Sequence, residues 1–228
     1  MTLDVAVVVS GGGSNLQSII DAVEAGRLDV GIRLVLSNKP DAHGLERARR
    51  HGIDTWAEPH EAYATRLDFD MALADAIEAS GARLVVLAGY MRMVTPEFLA
   101  RFPGRVVNIH PALLPSFPGV HGQTDAALHG VKIAGCTVHF VDEIMDNGPI
   151  IIQAAVPALP GEDGVTLAQR ILELEHRIYP QALQWLAQGR VSVKGRFVYV
   201  NAPAIGETPL PALVTGAYLV NPPLEQGF

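Results

Sequence analysis

The chain has 228 residues, of which 49% are hydrophobic and 18% are charged, and its formal net charge is −7 at pH 7. This composition supplies enough apolar side chains for a core and excludes an intrinsically disordered chain. Because the chain is acidic and shows no cluster of Lys and Arg, general binding to nucleic acids or anionic membranes is disfavoured. A small anionic ligand is still compatible with this charge, since backbone amides can hold a phosphate.

Cysteine content and hydropathy exclude further classes of protein. Cys136 is the only cysteine, so an intramolecular disulfide framework and a zinc site of several cysteines are excluded. No stretch reaches the ~18 apolar residues of a membrane span. The first residues lack the basic and apolar regions of a signal peptide. We therefore expect a cytoplasmic protein.

Apolar, β-branched segments alternate with amphipathic segments through the first 110 residues. The predicted strands and helices lie, in chain order, at 5–9, 14–25, 32–37, 43–51, 65–79, 84–88 and 105–109. Strands this continuously apolar are typical of parallel sheets covered on both faces. The pattern predicts an α/β fold: a single Rossmann-like, doubly wound domain with a mostly parallel central sheet and helices on both faces.

The pattern changes after His110. Three prolines and a glycine within residues 111–119 predict a loop without regular structure. Two further strands are predicted at 135–141 and 149–156, joined by an acidic turn over residues 142–148.

The last part of the sequence predicts one long helix, a hairpin and a tail. Thr166 is the expected cap of the helix, Pro180 is expected to kink it, and Gly189 is expected to end it. Residues 191–200 suit a small hairpin. The expected organisation is one domain over residues 1–200, followed by an irregular, proline-rich C-terminal tail over residues 201–228.

The segment Gly11-Gly12-Gly13-Ser14-Asn15 lies between the first strand and the first helix. Ser14 and Gln17 have the spacing of a capping box, and the first N–H groups of a helix point at a ligand lying in front of it. A tight turn that requires glycine is the alternative explanation. The segment has neither the third glycine of a dinucleotide fingerprint nor the Gly-Lys-Ser/Thr of a P-loop, so a monophosphate suits it better than NAD or ATP.

Asn108 and His110 lie at the C-terminal end of a predicted core strand, two residues apart and therefore on one face. An amide can stabilise an oxyanion and an imidazole can move a proton, which suits acyl transfer, although a structural role is the alternative. His121, His139 and Asp146 are further polar groups at loop or strand-end positions, and with His110 they could be considered as a metal site. Their spacing does not match a metal motif, and Cys136 has no evident base beside it.

These residues belong to a set of motifs that resembles the folate-dependent formyltransferases, and within that family the members that formylate glycinamide ribonucleotide in purine biosynthesis. The motifs recur in family order from residue 5 to about residue 190. They are Ser10-Gly-Gly-Gly-Ser-Asn-Leu-Gln17, Ser37-Asn-Lys39, Val86-Leu-Ala-Gly-Tyr-Met-Arg92, Asn108-Ile-His-Pro-Ala-Leu-Leu-Pro115, Gly135-Cys-Thr-Val-His-Phe-Val141, Asp146-Asn-Gly-Pro149 and Glu175-His176.

The resemblance implies direct transfer of the formyl group of 10-formyltetrahydrofolate to the amine of glycinamide ribonucleotide, through a tetrahedral intermediate. It implies that Asn108 and His110 stabilise the oxyanion and that Asp146 tunes His110 and helps to move the proton. The residues implied to bind the ribonucleotide are Gly11, Gly12, Gly13, Ser14, Asn15 and Glu175. The residues implied to bind folate are Arg66, Met91, Arg92, Met93, Val94, Asn108, Val141 and Asp142.

The resemblance also implies the partners of the protein. They are the two small-molecule substrates, with no nucleic acid, no membrane and no metal. The expected assembly is a monomer or a homodimer.

Several other functions use the same Asn-x-His and Asp residues or the same glycine segment. They are formyltetrahydrofolate hydrolysis, formyl transfer to methionyl-tRNA or to a sugar nucleotide, and non-catalytic nucleotide binding. In the family that this sequence resembles, the hydrolases normally carry an additional N-terminal regulatory domain. The tRNA enzymes of that family are longer, two-domain chains with a basic surface. A non-catalytic module would use the glycine segment and leave Asn108, His110 and Asp146 without a role.

Overall fold

The computed structural model describes residues 2–201, 213–215 and 218–228. The chain forms two compact units. Unit 1 consists of Met1–Asn108 and Val141–Glu143, and unit 2 of Ile109–Phe140 and Ile144–Phe228. This division differs from the boundary expected near residue 200, which stays a prediction.

Unit 1 is a parallel sheet with helices between its strands. The strands are β1 (Leu3–Val9), β2 (Val30–Ser37), β3 (Thr55–Ala57), β4 (Leu84–Leu87) and β5 (Val106–His110), which ends in the first residues of unit 2. The helices are α1 (Ser14–Glu24), α2 (His43–Arg50), α3 (Arg66–Ala79) and α4 (Pro96–Arg101). The strand order is β5-β4-β1-β2-β3, and every pairing is parallel.

The parallel strands are buried because their side chains are apolar on both faces. Val5 to Val9 of β1 are completely buried, as expected for a strand covered on both sides. One core cluster joins β1, α3, β4 and α4 through Val8, Phe69, Val85 and Phe98. The predicted α/β fold with a mostly parallel sheet is confirmed.

Unit 2 is mainly antiparallel. Its strands are β6 (Ile133–Phe140), β7 (Ile150–Pro157), β8 (Val191–Lys194), β9 (Phe197–Val200), β10 (Leu213–Thr215) and β11 (Tyr218–Asn221), and its helices are α5 (Gly122–Leu128) and α6 (Gly164–Ala187). The strands β6, β7, β11 and β10 pair in that order, and β8 and β9 form the predicted hairpin. Residues 111–121 contain no helix or strand, in agreement with the loop predicted over 111–119.

The predicted start of the long helix is wrong by three residues. The cap is Asp163, whose carboxylate accepts a hydrogen bond of 2.8 Å from the N–H of Thr166. A carboxylate at the start of a helix is also favoured by the helix dipole. The helix runs through Pro180 and ends at Ala187, and Gly189 follows its C-cap with a φ of 66°, as predicted.

The tail expected to be irregular contains two strands in the part that the structure describes. β11 pairs with the edge of β7, placing Val220 opposite Ala154, and Val220 is completely buried. The expectation was wrong because Pro222 and Pro223 lie just after β11 and do not interrupt it. The remaining prolines of the tail lie outside the described residues.

Candidate active site

The glycine loop, residues 11–13, connects β1 to α1. Gly13 is the N-cap of α1, with a φ of 70° in the left-handed region that favours glycine. A Cβ at Gly13 would lie 2.6 Å from the Cα of Gly44 on α2, so only glycine fits. The predicted capping box of Ser14 and Gln17 is therefore wrong: Ser14 is the first helical residue, and no side chain caps α1. The next residue, Asn15, is buried.

The carbonyl groups of the loop are hydrogen bonded within unit 1. Gly11 O accepts from the N–H of Gly44 at 2.9 Å, and Gly12 O accepts from Nε of Arg47 at 2.8 Å. A trans peptide points its N–H away from its C=O, so the N–H groups of Gly12 and Gly13 face away from α2. Among the residues that the structure describes, none accepts a hydrogen bond from these two groups. The loop therefore presents two backbone donors, the chemistry of an anion site.

Asn108 and His110 lie two residues apart on β5, which puts their side chains on one face of the strand. His110 is 3% exposed, and its Nε2 lies 2.9 Å from the carbonyl oxygen of Phe117. Because a carbonyl oxygen only accepts, Nε2 carries the hydrogen of this bond. The other ring nitrogen, Nδ1, lies 3.5 Å from Oδ2 of Asp146. Nδ1 is therefore the nitrogen of His110 that faces Asp146.

Asp146 reaches His110 from the turn between β6 and β7. Its side chain is only 12% exposed, and Oδ2 also accepts a hydrogen bond of 2.7 Å from the N–H of Gly119. The structure thus brings His110 and Asp146 together within unit 2, and their catalytic roles stay a prediction.

His139 is a further functional candidate that the predicted site did not include. It is almost completely buried on β6, and its Nδ1 donates to the carbonyl oxygen of Phe140 at 2.8 Å. Its Nε2 lies 3.8 Å from Oδ1 of Asp146. Asp146 therefore lies between two imidazoles. The available signal in the sequence was the position of His139 next to the end of a strand that leads into the acidic turn.

The backbone around His110 is strained at two places. Within the described ranges, Phe117 and Asp146 are the non-glycine residues with positive φ, at 54° and 52°. Both are direct partners of His110. Residues in such conformations cost about 1–3 kcal/mol and cluster at active sites, where neighbouring contacts hold them. This strain supports a functional role for the two segments that contact His110, at Phe117 and at Asp146.

The predicted folate segment, Met91 to Val94, follows β4. Met91 and Met93 are 61% and 43% exposed, whereas Val94 is buried. The N–H of Met91 donates to Oγ of Ser10 at 2.9 Å, directly before the glycine loop. Exposed methionines on an anchored backbone give an adaptable apolar surface suited to a flat ligand.

Asp70 of α3 holds the other end of the folate segment. Its side chain is completely buried, and Oδ2 accepts a hydrogen bond of 2.7 Å from the N–H of Thr95. Burial raises the pKa of Asp70, although the Thr95 bond and the charges of Arg92 and Arg66 act in the opposite direction. The guanidinium carbon of Arg92 lies 5.4 Å from the ring centre of Phe69. Sequence reasoning missed Asp70, because a single carboxylate on an amphipathic helix carries no motif.

The remaining predicted residues lie in different parts of the two units. Val141 belongs to unit 1, where its N–H donates to the carbonyl oxygen of Val106 at 2.9 Å, and the neighbouring Asp142 is half-buried. Glu175 is buried on α6 in unit 2. Burial, and secondarily the charge of Glu175, raises the pKa of the Cys136 thiol well above its usual value. A buried, protonated thiol is a poor nucleophile.

Residues 2–201, 213–215 and 218–228 contain neither a metal-binding cluster nor a membrane-spanning helix. In these ranges no group of three or more His, Cys, Asp or Glu side chains is arranged to hold a metal ion. Over the same part of the chain, no helix combines the length and the apolar character that crossing a membrane requires.

The fold is α/β, with a glycine loop that presents two backbone donors and a buried His–Asp contact at a strand end. The chain belongs to the formyl transferase family, whose model matches residues 3–183. This confirms the resemblance found in the sequence.

Individual relatives support this membership. The chain is 42% identical over 191 residues to the phosphoribosylglycinamide formyltransferase of Escherichia coli (strain K12), covering 84% of this chain and 90% of that protein. It is 47% identical over 187 residues to the trifunctional purine biosynthetic protein adenosine-3 of Drosophila melanogaster, covering 81% of this chain but only 14% of that much longer protein. The glycinamide ribonucleotide transformylase 1 of Symbiobacterium toebii superposes with a TM-score of 0.87 at 50% identity, covering 88% of this chain and 95% of that one.

Proposed function

We propose that the protein transfers the formyl group of 10-formyltetrahydrofolate directly to the amine of glycinamide ribonucleotide, in de novo purine biosynthesis. Family membership and the names of the relatives support the reaction and its substrates. The observation that carries the proposal is the contact between buried His110 and Asp146, next to Asn108 on β5. It supplies donors and a proton acceptor without requiring a protein nucleophile.

The proposed reaction needs no covalent intermediate with the protein. The substrate amine attacks the formyl carbon, which gives a tetrahedral intermediate with a negatively charged oxygen. Collapse of the intermediate breaks the bond between the formyl carbon and N10 of the folate. The amine loses one proton and N10 gains one, so the products are formylglycinamide ribonucleotide and tetrahydrofolate.

The site residues divide this work by their chemistry. Asn108 can donate from its amide, and protonated His110 can donate from Nδ1, since Nε2 is engaged by Phe117. Donors aimed at a developing oxyanion are typically worth about 10²–10³ in kcat. Asp146, whose Oδ2 lies 3.5 Å from Nδ1 of His110, can accept the amine proton through a water molecule.

The proposed binding residues form two groups, one for the ribonucleotide and one for the folate. We assign the phosphate to the N–H groups of the glycine loop, residues 11–13, with Ser14 and Asn15, and the glycinamide or ribose to Glu175. We assign the folate to Asn108 and to the groups that resemble the family's folate contacts: Arg66, Met91, Arg92, Met93, Val94, Val141 and Asp142. With these substrates the protein is expected in the cytoplasm, as a monomer or a homodimer.

The test is a comparison of acceptors with one formyl donor. Each reaction contains purified protein, 10-formyltetrahydrofolate and one acceptor. The acceptors are glycinamide ribonucleotide, a sugar nucleotide amine and methionyl-tRNA, and one reaction contains no acceptor. We expect rapid release of tetrahydrofolate only with glycinamide ribonucleotide. Equal release without an acceptor would instead identify a hydrolase, and transfer only to another amine would reassign the substrate.

A further inference from the structure

Helix α2 contacts the glycine loop from the side opposite to the proposed phosphate. Gly44, the second residue of α2, donates its N–H to Gly11 O at 2.9 Å. One turn later, Nε of Arg47 donates to Gly12 O at 2.8 Å. Two successive peptides of the loop are therefore held by one helix, and their N–H groups face the other way.

These two bonds also polarise the peptides that they hold. The N–H at the start of a helix carries the positive end of the helix dipole, and the guanidinium of Arg47 carries a full charge. A hydrogen bond accepted by a peptide carbonyl strengthens the donor character of the N–H in the same peptide. The N–H of Gly13, which shares its peptide with Gly12 O, is thereby a better donor to an anion.

Arg47 is itself fixed in this orientation. Its Nη1 donates to Oε1 of Gln17 at 3.2 Å, and Nε2 of Gln17 donates to Asp21 at 2.8 Å. The side chain is half-buried between α1 and α2. The guanidinium of Arg47 is thus hydrogen bonded both to Gly12 O in the loop and to Gln17 on α1.

Gly44 supports the same arrangement from an independent direction. A Cβ at Gly44 would lie 3.0 Å from Val9 and 3.4 Å from both Gly11 O and the Cα of Gly13. A Cβ here would crowd the side chain of Val9 and would lie at van der Waals distance from the loop. Glycine at position 44 therefore leaves the most room for the close approach of α2 to the loop.

We propose that Arg47 is a positioning residue for the phosphate of the substrate: it fixes and polarises the peptide between Gly12 and Gly13, whose N–H binds the anion, without contacting the anion itself. This inference rests on the proposed function, because it takes the glycine loop as the phosphate site. In this proposal, helix α2 orients the phosphate site through Arg47.

The test compares Arg47→Met with Arg50→Met in steady-state kinetics. Both variants lose one charge from α2, but Arg50 is exposed and bonded to Glu46, with no contact to the loop. We expect Arg47→Met to raise KM for the ribonucleotide about fivefold, because the peptide between Gly12 and Gly13 is then neither fixed nor polarised by the guanidinium. KM for the folate and kcat should stay within about twofold, and Arg50→Met should behave as the wild type.

The alternative results separate this inference from the proposed function. An unchanged KM for the ribonucleotide in Arg47→Met, with a raised KM in Gly12→Val, would overturn the role of Arg47 and leave the phosphate site standing. Equal effects in Arg47→Met and Arg50→Met would contradict the specific role of Arg47 and show that only the net charge of α2 matters. A general loss of kcat together with a large fall in melting temperature in Arg47→Met alone would make the role structural. No effect of Gly12→Val would remove the phosphate site and this inference together.

A second measurement uses the unmodified protein and does not depend on the folding of a variant. Titration with inorganic phosphate, followed by NMR, should shift the amide signals of Gly12 and Gly13 and the Nε–H signal of Arg47. A phosphate response of the two amides without a response at Nε of Arg47 would contradict the proposed coupling.

Discussion

His110 and Asp146 form the contact on which the proposed reaction depends most directly. Phe117 holds one ring nitrogen of His110, and the other faces the carboxylate. His110→Ala removes the proposed oxyanion donor, and Asp146→Asn removes the proposed proton acceptor. We therefore predict that His110→Ala and Asp146→Asn each lower kcat by about 10²–10³. Initial rates with both substrates saturating measure this, and Glu143→Gln, an exposed change in the same turn, is the control.

The double variant tests whether the two residues act as one unit. Side chains that serve one function give losses that are far from additive. We expect His110→Ala with Asp146→Asn to be little slower than the slower single variant, with ribonucleotide binding and the fold retained. A loss equal to the product of the single losses would contradict the shared role.

The buried carboxyl of Asp70 makes a prediction about stability and pH. Burial raises the pKa of Asp70 in the folded protein above its ordinary value of 3.8, so the folded state binds more protons than the unfolded state in this window. The contribution of Asp70 to stability is therefore fully present below pH 3.8 and is lost as the pH rises through the folded pKa. Replacing Asp70 with Asn should remove this pH dependence.

Urea unfolding of wild type and Asp70→Asn at a series of pH values measures this difference. The free energy of unfolding of Asp70→Asn relative to wild type should increase from about pH 4 upward until the raised pKa is passed. Asp41→Asn, at an exposed position, should show no such trend. A difference that stays flat with pH would show that the buried carboxyl is not perturbed.

Among the local elements, the glycine loop offers a position where the protein tolerates a side chain. A Cβ at Gly12 would meet no atom within 4 Å, and the φ of Gly12 is not in the left-handed region. A valine there should leave the fold intact and fill the space in front of the two amides. We predict that Gly12→Val raises KM for the ribonucleotide much more than KM for the folate. Equal increases in both would count against the phosphate assignment.

The sequence predicted elements well where their signal is local. The buried strand β1 is a run of valines and alanine, and α1 ends within one residue of its predicted end at residue 25. Gly26 follows the helix, with the N–H groups of Gly26 and Arg27 bonded to Val23 O and Ala22 O. The cap of α1 could not be predicted, because the N-cap Gly13 is selected by its contact with Gly44, 31 residues later in the chain.

The same distinction holds for the site. His110 and Asp146 could be predicted because they stand in recognisable motifs. Asp70 and Arg47 could not, because each acts through a backbone group of a distant segment, Thr95 N–H and Gly12 O. The helical pattern of the sequence identifies Asp70 and Arg47 only as polar positions on their helices.

At the scale of the whole molecule, an acidic chain is proposed to bind two anionic substrates. The net charge of −7 gives no general attraction for them. We therefore expect binding to depend on a few oriented donors, such as the loop amides and the guanidinium of Arg92. The composition accordingly disfavours general nucleic-acid binding and is still compatible with a phosphate site.

The C-terminal tail makes a second contribution at this scale, because it completes the sheet of unit 2. β11 covers the edge of β7, Val220 and Leu224 are buried, and the N–H of Glu225 donates to Oε1 of Gln181 at 2.8 Å. An uncovered edge strand is a site of aggregation. The described part of the tail is therefore expected to stabilise the protein.

Two neighbouring residues of β11 give a matched test of this role. Val220 is completely buried and Leu219 is 43% exposed. We predict that Val220→Ala lowers the free energy of unfolding by about 2 kcal/mol, from lost burial and a small cavity. Leu219→Ala should change it by no more than about 0.5 kcal/mol. Urea unfolding at one pH compares the two variants. Equal and negligible effects would mean that β11 is not held against β7 in solution, whereas the expected difference shows that the tail is part of the folded core.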